Sequence, residues 1–232
     1  RNRKYHRIHF LKYMDYILED MDDYEILFVN QNDDRLFNRG AMKNFGFKYV
    51  KDKYPYSYKN ITLVFNDVDT IPAEKGLLNY ETTHGVIKHF YGFDFCLGGI
   101  FSIKAGDFER MNGFPNFWTW GLEDNTVQYR AEKYNIRIDR SHFYKIGSME
   151  IIHSVDELVK FKKRSLTTNT ELRFNTNGID SLNSYIMEYK DGMLNINAFD
   201  CKIPINKSDI TAITLKSGKP PNKPKKMGLV LV

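Results

Sequence analysis

Residues 61–72 have the sequence ITLVFNDVDTIP, and the fold can be predicted by working outward from them. The apolar run at 61–65 predicts a buried strand that ends at the polar turn beginning with Asn66. The segments before it are predicted from their apolar spacing to be a helix, a strand and a helix, at 4–21, 24–29 and 36–50. This alternation of helices and strands predicts an α/β fold with parallel strands.

After this stretch, short strands and helices continue to alternate, and the sequence contains no internal repeat. We predict strands at 85–88, 98–103, 136–138 and 149–152, helices at 105–111, 123–134 and 156–166, and a hairpin over 184–199 that turns at Asp191-Gly192. One globular domain is the simplest organisation that accommodates these elements.

The composition excludes several classes of protein. With 42% hydrophobic and 27% charged residues among 232, the chain has enough apolar surface to fold and is not intrinsically disordered. No run approaches the roughly 20 apolar residues that a spanning helix needs, so we expect no membrane segment in this chain. Two cysteines, Cys96 and Cys201, cannot form a disulfide framework.

The excess positive charge is confined to the C-terminal end. The net charge is +5, and residues 210–232 carry five lysines and no acidic residue, so residues 1–209 are formally neutral. A neutral globular body argues against nucleic-acid binding, because phosphate-backbone binders carry a basic surface. We therefore predict a domain over 1–209, followed by a basic, Pro- and Lys-rich tail or linker over 210–232.

Two carboxylates follow the predicted strand at 61–65. Ligand sites in open α/β sheets lie at the carboxyl ends of strands, which is where Asp67 and Asp69 are placed. Two residues apart in an extended segment, they point to the same side and can share a hard divalent cation. The alternative is a structural turn in which the aspartates cap backbone amides.

A second candidate site is the stretch WTWGLED at residues 118–124. Aromatic faces beside carboxylates suit sugars, and a carboxylate at a helix start could accept a proton from an attacking hydroxyl. The alternative is that the tryptophans belong to the core and that Glu123 and Asp124 favour the helix macrodipole.

Histidine and arginine residues complete the set of candidates. His153 lies three residues after Glu150 near a predicted strand end, where it could complete a metal shell. Guanidinium groups match the geometry of phosphates, which makes Arg1, Arg3 and Arg39 candidate phosphate ligands. On their own, such histidines are more often structural or exposed, and such arginines are more often surface or salt-bridge residues.

Taken together, these segments resemble the β-1,4-galactosyltransferase family, which includes the xylosylprotein galactosyltransferases. One such motif would mean little, but eight occur in the family's order across residues 1–204. They are RNR (1–3), FNRGA with NFGF (37–47), FNDVDTIP (65–72), GG (98–99), NGFPN (112–116), WTWGLED (118–124), IHS (152–154) and GIDSLN (178–183).

The resemblance implies a GT-A fold, a Rossmann-like nucleotide-sugar-binding fold with a mixed, mainly parallel central sheet. It implies a glycosyltransferase catalytic domain over 1–209 that is inverting and metal-dependent. This enzyme would move a hexose, galactose first, from a UDP-sugar to a hydroxyl of a glycan or glycoconjugate, forming a β-linkage. The implied cofactor is Mn²⁺, with Mg²⁺ as the alternative. Competing expectations are UDP-GalNAc or another UDP-hexose as donor, and a non-catalytic carbohydrate-binding relative; the oligomeric state stays open.

The resemblance also assigns roles to individual residues. Asp124 would be the base that deprotonates the acceptor, and Glu123 would hold sugar hydroxyls. The metal ligands would be Asp69 and His153, with Glu150 as an additional candidate. The donor-binding residues would be Arg1, Arg3, Phe37, Arg39, Asp67, Val68 and Cys96, and the acceptor-binding residues Trp120, Gly121 and Asn125.

The chain departs from the family pattern at several positions. Cys96 stands where a tyrosine usually shapes the donor pocket, and this smaller side chain should leave room for an N-acetyl group. Leu122 replaces a glycine, and Asn125 replaces an acidic residue. Glu150 stands where a methionine is usual, and an oxygen ligand there could relax the metal preference.

The cysteine pattern leads to an expectation about the compartment. Thr62 stands where the family's aspartate-motif strand often carries a cysteine, and family members of the secretory pathway contain disulfides. Because disulfides persist in oxidising compartments, we expect a cytoplasmic or other reducing compartment, such as a bacterial cell or a virus-infected host cell, rather than the Golgi lumen.

Overall fold

The computed structural model describes residues 3–154, 160–164, 177–205 and 210–214 of the chain. Within them the elements follow one another as α1 (Lys4–Ile17), β1 (Phe28–Gln31), α2 (Arg39–Lys53), β2 (Thr62–Asn66), β3 (Thr70–Pro72), β4 (Val86–Gly92), β5 (Ile100–Lys104), α3 (Ala105–Arg110), α4 (Glu123–Lys133), β6 (Arg137–Asp139), β7 (Tyr144–Lys145), β8 (Ile151–His153), β9 (Lys160–Arg164), β10 (Asn183–Lys190), β11 (Met193–Asp200) and β12 (Ile210–Thr214). In this part of the chain, no helix has both the length and the apolar character needed to cross a membrane.

The central sheet combines parallel and antiparallel strands. Its order is β2-β5-β4-β6, with β7 also pairing with β4. β5 runs antiparallel to both of its neighbours, whereas β6 and β7 run parallel to β4. The α/β character and the mixed sheet are as expected, but among the described strands parallel pairs do not dominate. A second sheet places β1 beside β11 in parallel and β11 beside β10 in antiparallel orientation.

Helix α2 lies between the two sheets and is buried on opposite faces. Asn38 caps its start, since its side-chain oxygen accepts a hydrogen bond from the backbone N–H of Ala41 at 2.9 Å. One face contributes Phe47 to a core that also contains side chains of β5, α3 and α4. The other face contributes Phe45, which packs with Leu194 and other side chains of the second sheet. A helix that is apolar on both faces is fixed in position, and α2 is therefore a rigid support for its first residue, Arg39.

Buried asparagines connect this helix to the NGFPN segment. The Asn44 side chain donates to the carbonyl of Phe114 at 2.8 Å and to the side-chain oxygen of Asn116 at 2.9 Å. Asn116 donates in turn to the carbonyl of Gly178 and to Ser181 Oγ, at 2.7 and 2.8 Å. These residues of three motifs therefore stabilise the scaffold and lie in its interior.

The structure bears on two predictions about the C-terminal half, and it contradicts the first of them. The segment predicted as a helix over 156–166 contains strand β9, which pairs with β12 in antiparallel orientation. Pairing with a distant segment overrides the local helical preference, and the rest of that segment lies outside the described residues. Since β12 begins at Ile210, this pairing also connects the first residues of the predicted tail to the preceding domain. The boundary at residue 209 remains a prediction, and the pairing favours placing it after Thr214.

The chain segments that carry the candidate residues meet at one edge of the central sheet. Strand β2 ends there, and its antiparallel neighbour β5 begins there. Asp67 accordingly donates its backbone N–H to the carbonyl of Gly99, at 3.3 Å. The first turns of α2 and α4 reach the same edge through the side chains of Arg39 and Asp124.

Candidate active site

Arg39 lies at the centre of the candidate site. Its Nη2 donates to both carboxylate oxygens of Asp67 at 2.7 Å, and its Nη1 donates to Asp124 at 2.7 Å and to Glu123 at 3.3 Å. One guanidinium thus joins the start of α2, the end of β2 and the start of α4. The sequence predicted a phosphate ligand at this position, and in this structure its partners are carboxylates.

The local charges shift the pKa values of these side chains in opposite directions. Burial would raise the pKa of Asp67, but Arg39 and Lys43 outweigh it and lower that pKa to about 2. Burial and the neighbouring Asp124 raise the pKa of Glu123. Acidic side chains outnumber basic ones at this edge: Asp67, Asp69, Glu123 and Asp124 against Arg3, Arg39 and Lys43. The site is therefore suited to a cation.

Two consecutive glycines make room for the carboxylate of Asp124. A Cβ atom on Gly98 would lie 2.6 Å from Asp124 Oδ2, so a larger residue would displace this oxygen. Gly99 adopts a φ of +71°, which favours glycine, and its carbonyl accepts from the backbone of Asp67. The backbone N–H of Leu97 donates to the carbonyl of Asp124 at 3.1 Å. The two glycines therefore position both acidic residues: Gly98 leaves space for the side chain of Asp124, and Gly99 binds the backbone of Asp67.

Glu123 is oriented from within the protein. Its side chain is only 3% exposed, and Oε2 accepts a hydrogen bond from the backbone N–H of Gly121 at 2.8 Å. The remaining oxygen faces Arg39. The structure thus places Glu123 beneath the cleft as a partner of Arg39 and Gly121, whereas the side chain of Asp124 is more accessible, at 20%.

The pairing of β3 with β8 brings Asp69 and His153 together. Thr70 lies opposite His153, and the backbone N–H of Ser154 donates to the carbonyl of Asp69 at 2.8 Å. Burial and the negative charge of Asp67 raise the pKa of Asp69, so a cation bound here would stabilise the ionised carboxylate. The hydroxyl of Tyr91 lies 3.1 Å from Nδ1 of His153 and orients the ring.

Glu150 does not join this pair. It lies three positions before His153 along an extended segment, so the two side chains point to opposite faces. Its backbone carbonyl accepts a hydrogen bond from Ala73 at 2.8 Å, and its side chain is exposed. Across the residues that the structure describes, no three His, Cys, Asp or Glu side chains form a group that could hold a metal ion. Of the predicted ligands, the structure brings Asp69 and His153 together and places Glu150 apart from them; the ligand role of all three stays a prediction.

The two tryptophans of the WTWGLED stretch have different environments. Trp118 belongs to the core, where it stacks on Phe199 with ring centroids 5.5 Å apart and donates to the carbonyl of Ile203 at 2.8 Å. Trp120 is 39% exposed and lines the cleft, which suits an acceptor contact. Asn125 is exposed on α4.

Leu122, which replaces a glycine of the family pattern, adopts the left-handed conformation that glycine favours. Its φ is +69°, and it immediately precedes the first residue of α4. A non-glycine residue in this conformation costs about 1–2 kcal/mol. The strain is therefore stored next to Glu123 and Asp124.

The remaining described donor candidates line the same open cleft: Arg3, Phe37, Val68 and Cys96. Burial, together with the charge of Asp124, raises the pKa of the Cys96 thiol to about 12, so this side chain stays protonated. We therefore expect it to act through its small size. Arg1 lies outside the described residues.

Sequence reasoning missed a second layer of residues behind the site. The ring of His89 lies with Nε2 at 2.9 Å from the carbonyl of Gly98, and its Nδ1 accepts from Arg140 at 2.9 Å. Arg140 also donates to Gln128 of α4 at 2.8 Å. Lys43 was also missed, although its spacing was a usable signal: a residue four positions after Arg39 on one helix lies on the same face and near the same partners.

Comparison with known proteins adds independent support. The model of the N-terminal region of glycosyl transferase group 7 matches residues 1–81, and the model described as the N-terminal domain of galactosyltransferase matches residues 83–154. Together they span well over half of the chain. β-1,4-Galactosyltransferase 1 of Bos taurus is 30% identical over 209 residues, covering 81% of this chain and 49% of that protein. β-1,4-Galactosyltransferase 7 of Drosophila melanogaster is 31% identical over 134 residues, 54% of this chain and 40% of that protein.

The fold is shared with solved structures. The catalytic domain of Drosophila β-1,4-galactosyltransferase 7, solved with xylobiose, superposes with a TM-score of 0.64 at 22% identity, covering 87% of this chain and 92% of that one. The expected GT-A fold is thereby confirmed. The chain spans about half the length of the curated relatives that it matches first.

The expectation of a reducing compartment is wrong. The relatives are animal β-1,4-galactosyltransferases of the Golgi type, which points to the Golgi lumen and away from a bacterial or cytoplasmic setting. The physical reason lies in strand β2, which is held without a disulfide. Lys104 donates to Thr62 Oγ1 at 2.8 Å, and the strand pairs along its length with β5. Missing cysteines therefore reveal little about the compartment.

Proposed function

Because the chain belongs to the β-1,4-galactosyltransferase family, we propose that it is the catalytic part of an inverting, metal-dependent galactosyltransferase. It would transfer galactose from UDP-galactose to a sugar hydroxyl of a glycan or glycoconjugate. The observation that carries this proposal is the convergence, at one sheet edge, of the Asp69–His153 pair with the carboxylates of Asp67 and Asp124.

On the donor side, the cleft wall would bind the UDP group. Arg3 and Arg39 would contact the diphosphate, because guanidinium groups form paired hydrogen bonds with phosphate oxygens. Phe37 and Val68 would contact the nucleoside. Asp67, which extends from the end of β2, would accept hydrogen bonds from the hydroxyls of the transferred sugar.

On the acceptor side, Asp124 would take the proton of the attacking hydroxyl as its oxygen forms a bond to C1 of the donor sugar; the bond from C1 to the diphosphate oxygen breaks, and UDP leaves from the opposite face. Before the donor binds, its carboxylate accepts a hydrogen bond from Arg39 at 2.7 Å and lies in the space that Gly98 leaves open. Trp120 would stack on the acceptor ring, with Gly121 beside it. Glu123 would act from beneath the cleft, where its hydrogen bonds with Gly121 and Arg39 hold this region in shape, and not through the direct contact with sugar hydroxyls that the resemblance implied.

Asp69 and His153 fit a divalent cation. They provide one carboxylate, a ligand type that suits Mn²⁺, and one imidazole, which binds transition-metal ions more readily than Mg²⁺. Asp69 also carries the raised pKa of a carboxylate without enough positive charge nearby. When bound, Mn²⁺ would neutralise charge on the leaving diphosphate. Oxygens of the diphosphate would complete the ligand set. A Drosophila β-1,4-galactosyltransferase 7 mutant was solved with manganese, UDP-Gal and xylobiose, which supports this combination of ligands.

A second donor is favoured by one observation. Cys96 lines the cleft, and the next residue, Leu97, donates its backbone N–H to the carbonyl of Asp124 at 3.1 Å, so Cys96 lies beside the segment that carries Asp124. A thiol leaves more space there than a phenol would. UDP-GalNAc is therefore the second candidate, and Cys96→Tyr should reduce the use of UDP-GalNAc more than that of UDP-galactose.

The test is a panel of UDP-sugars and sugar acceptors, with Mn²⁺ and Mg²⁺ compared and products identified by mass spectrometry. We expect the highest turnover with UDP-galactose and Mn²⁺. Asp124→Asn should lower kcat by about 10²–10⁴-fold, as expected for the loss of a general base. Asp69→Asn should raise the Mn²⁺ concentration needed for half-maximal rate.

The matched control is Asp139→Asn, which removes a carboxylate from β6 of the same sheet away from the cleft. It should leave transfer unchanged. Full activity of both Asp69→Asn and Asp124→Asn would contradict the mechanism. Binding of sugar without transfer from any UDP-sugar would instead identify a non-catalytic carbohydrate-binding relative.

A further inference from the structure

Lys43 is a buried cation that the mechanism above does not use. It lies four residues after Arg39 on the same face of α2, and its side chain is 13% exposed. Its Nζ has no hydrogen-bond partner, and it lies 3.5 Å from Asp67 Oδ1. Its other close neighbours are aromatic rings, with the centroid of Phe114 at 4.8 Å and that of Phe65 at 5.7 Å.

This arrangement is unfavourable for the stability of the fold. An ammonium group without hydrogen bonds loses its hydration when it is buried, and the ring contacts and one ion pair return only part of that free energy. Burial, with a contribution from Arg39, lowers the pKa of Lys43 accordingly. A methionine of similar length would fill the same space between the rings without a charge. The position therefore carries a charge that packing alone does not require.

The charge has a specific neighbour. Both oxygens of Asp67 are bound by Arg39, and Arg39 is also the group that a donor diphosphate would engage. When Arg39 turns to phosphate, Asp67 loses two charge-assisted hydrogen bonds. Among the residues that the structure describes, Lys43 is the other cation within 4.0 Å of Asp67.

We propose that Lys43 is a positioning residue that retains Asp67 in the donor site when Arg39 engages the diphosphate. The inference rests on the proposed function, because it assumes that a nucleotide-sugar donor occupies this cleft. Lys43 acts through Asp67 and does not touch the reacting atoms. Its unfavourable burial would be kept for the sake of donor binding, which is a trade-off between stability and activity.

The experiment compares the wild type with Lys43→Met and Lys43→Arg, measuring melting temperature together with kcat and KM for donor and acceptor. Lys43→Met should raise the melting temperature by about 2–4 °C, as expected for a modest stabilisation in a domain of this size. It should also lower kcat/KM for the UDP-sugar about 10-fold or more, with the acceptor KM unchanged. Lys43→Arg keeps the charge and should recover donor kcat/KM relative to Lys43→Met.

Lys104→Met is the matched control. Lys104 is also largely buried, but it donates to the carbonyl of Asn60 and to Thr62 Oγ1 at 2.9 and 2.8 Å. Its replacement should lower the melting temperature without changing donor KM. The inference is overturned if Lys43→Met keeps donor kcat/KM within twofold of wild type, or if it loses stability as Lys104→Met does. A wild-type protein that transfers from no UDP-sugar would refute the proposed function itself.

Discussion

Replacing Gly98 by alanine tests whether the position of Asp124 controls the rate. The new Cβ would lie 2.6 Å from Asp124 Oδ2, whereas ordinary contacts begin near 3.4 Å, so the oxygen must move by about 0.8 Å. Displacements of about 1 Å in a reacting group can cost 100-fold in rate. Gly98 does not have a positive φ, so alanine fits its backbone conformation. We expect kcat to fall about 100-fold while the melting temperature changes little.

The assay is steady-state transfer with donor and acceptor varied separately, together with thermal unfolding. Two other glycine substitutions serve as comparisons that distinguish an effect on the rate from an effect on stability. Gly99→Ala adds a Cβ against the carbonyl of Tyr91 at a φ of +71°, so it should lower the melting temperature strongly. Gly106→Ala, in α3, meets its nearest neighbour at 3.2 Å and should change neither property much. If Gly98→Ala keeps kcat within threefold of wild type, Asp124 is not held at the reacting position.

Two further predictions concern the residues behind the site. Tyr91→Phe removes the hydroxyl that orients His153 at 3.1 Å, and the Mn²⁺ concentration for half-maximal rate should rise about 10–100-fold. Unchanged Mn²⁺ dependence would contradict this role. Burial lowers the pKa of His89 to about 4, so protonation favours the unfolded state as the pH falls below the unfolded pKa of about 6.5. Between pH 6.5 and 4 this residue should lower the free energy of unfolding by about 3 kcal/mol. Denaturant titrations should therefore show that the wild type loses about 3 kcal/mol more over this range than His89→Gln does. If the free energies of unfolding of the two proteins change with pH in parallel, this prediction about His89 is wrong.

The fold could be predicted to a large extent because most signals in this sequence are local. The apolar run at 61–65 predicted β2 (Thr62–Asn66), and Asp191-Gly192 marked the turn between β10 and β11. The segment predicted as a helix over 156–166 shows the limit of this reasoning. Its strand β9 exists through hydrogen bonds to β12, about 50 residues further on, and nothing in the local pattern indicates such a partner.

The candidate site could be predicted only in its outline. Motif residues such as Asp67, Asp124 and His153 meet at one edge because each motif ends a strand or begins a helix there. Their pairing with Arg39 could not be predicted, since a guanidinium near a diphosphate site suggests phosphate and not three carboxylates. Membership of a motif also did not distinguish residues that line the site from residues that stabilise the scaffold. Asn44 and Asn116 belong to family motifs, yet both are fully buried in the scaffold.

The position of Arg39 implies that diphosphate binding and the release of a base are coupled. Within the described residues, all four hydrogen bonds of the Arg39 side chain go to carboxylates, and removing a partner from such a buried pair costs about 3–5 kcal/mol. A diphosphate that takes over the guanidinium has to offer charge-assisted bonds of comparable strength. After the exchange, Asp67 keeps Lys43, and Glu123 keeps the backbone N–H of Gly121. Within the described part of the chain, Asp124 is the carboxylate left without a second partner for its side chain. It is also the one that the proposed mechanism needs as a base, so donor binding would free the base at the moment when the acceptor can use it.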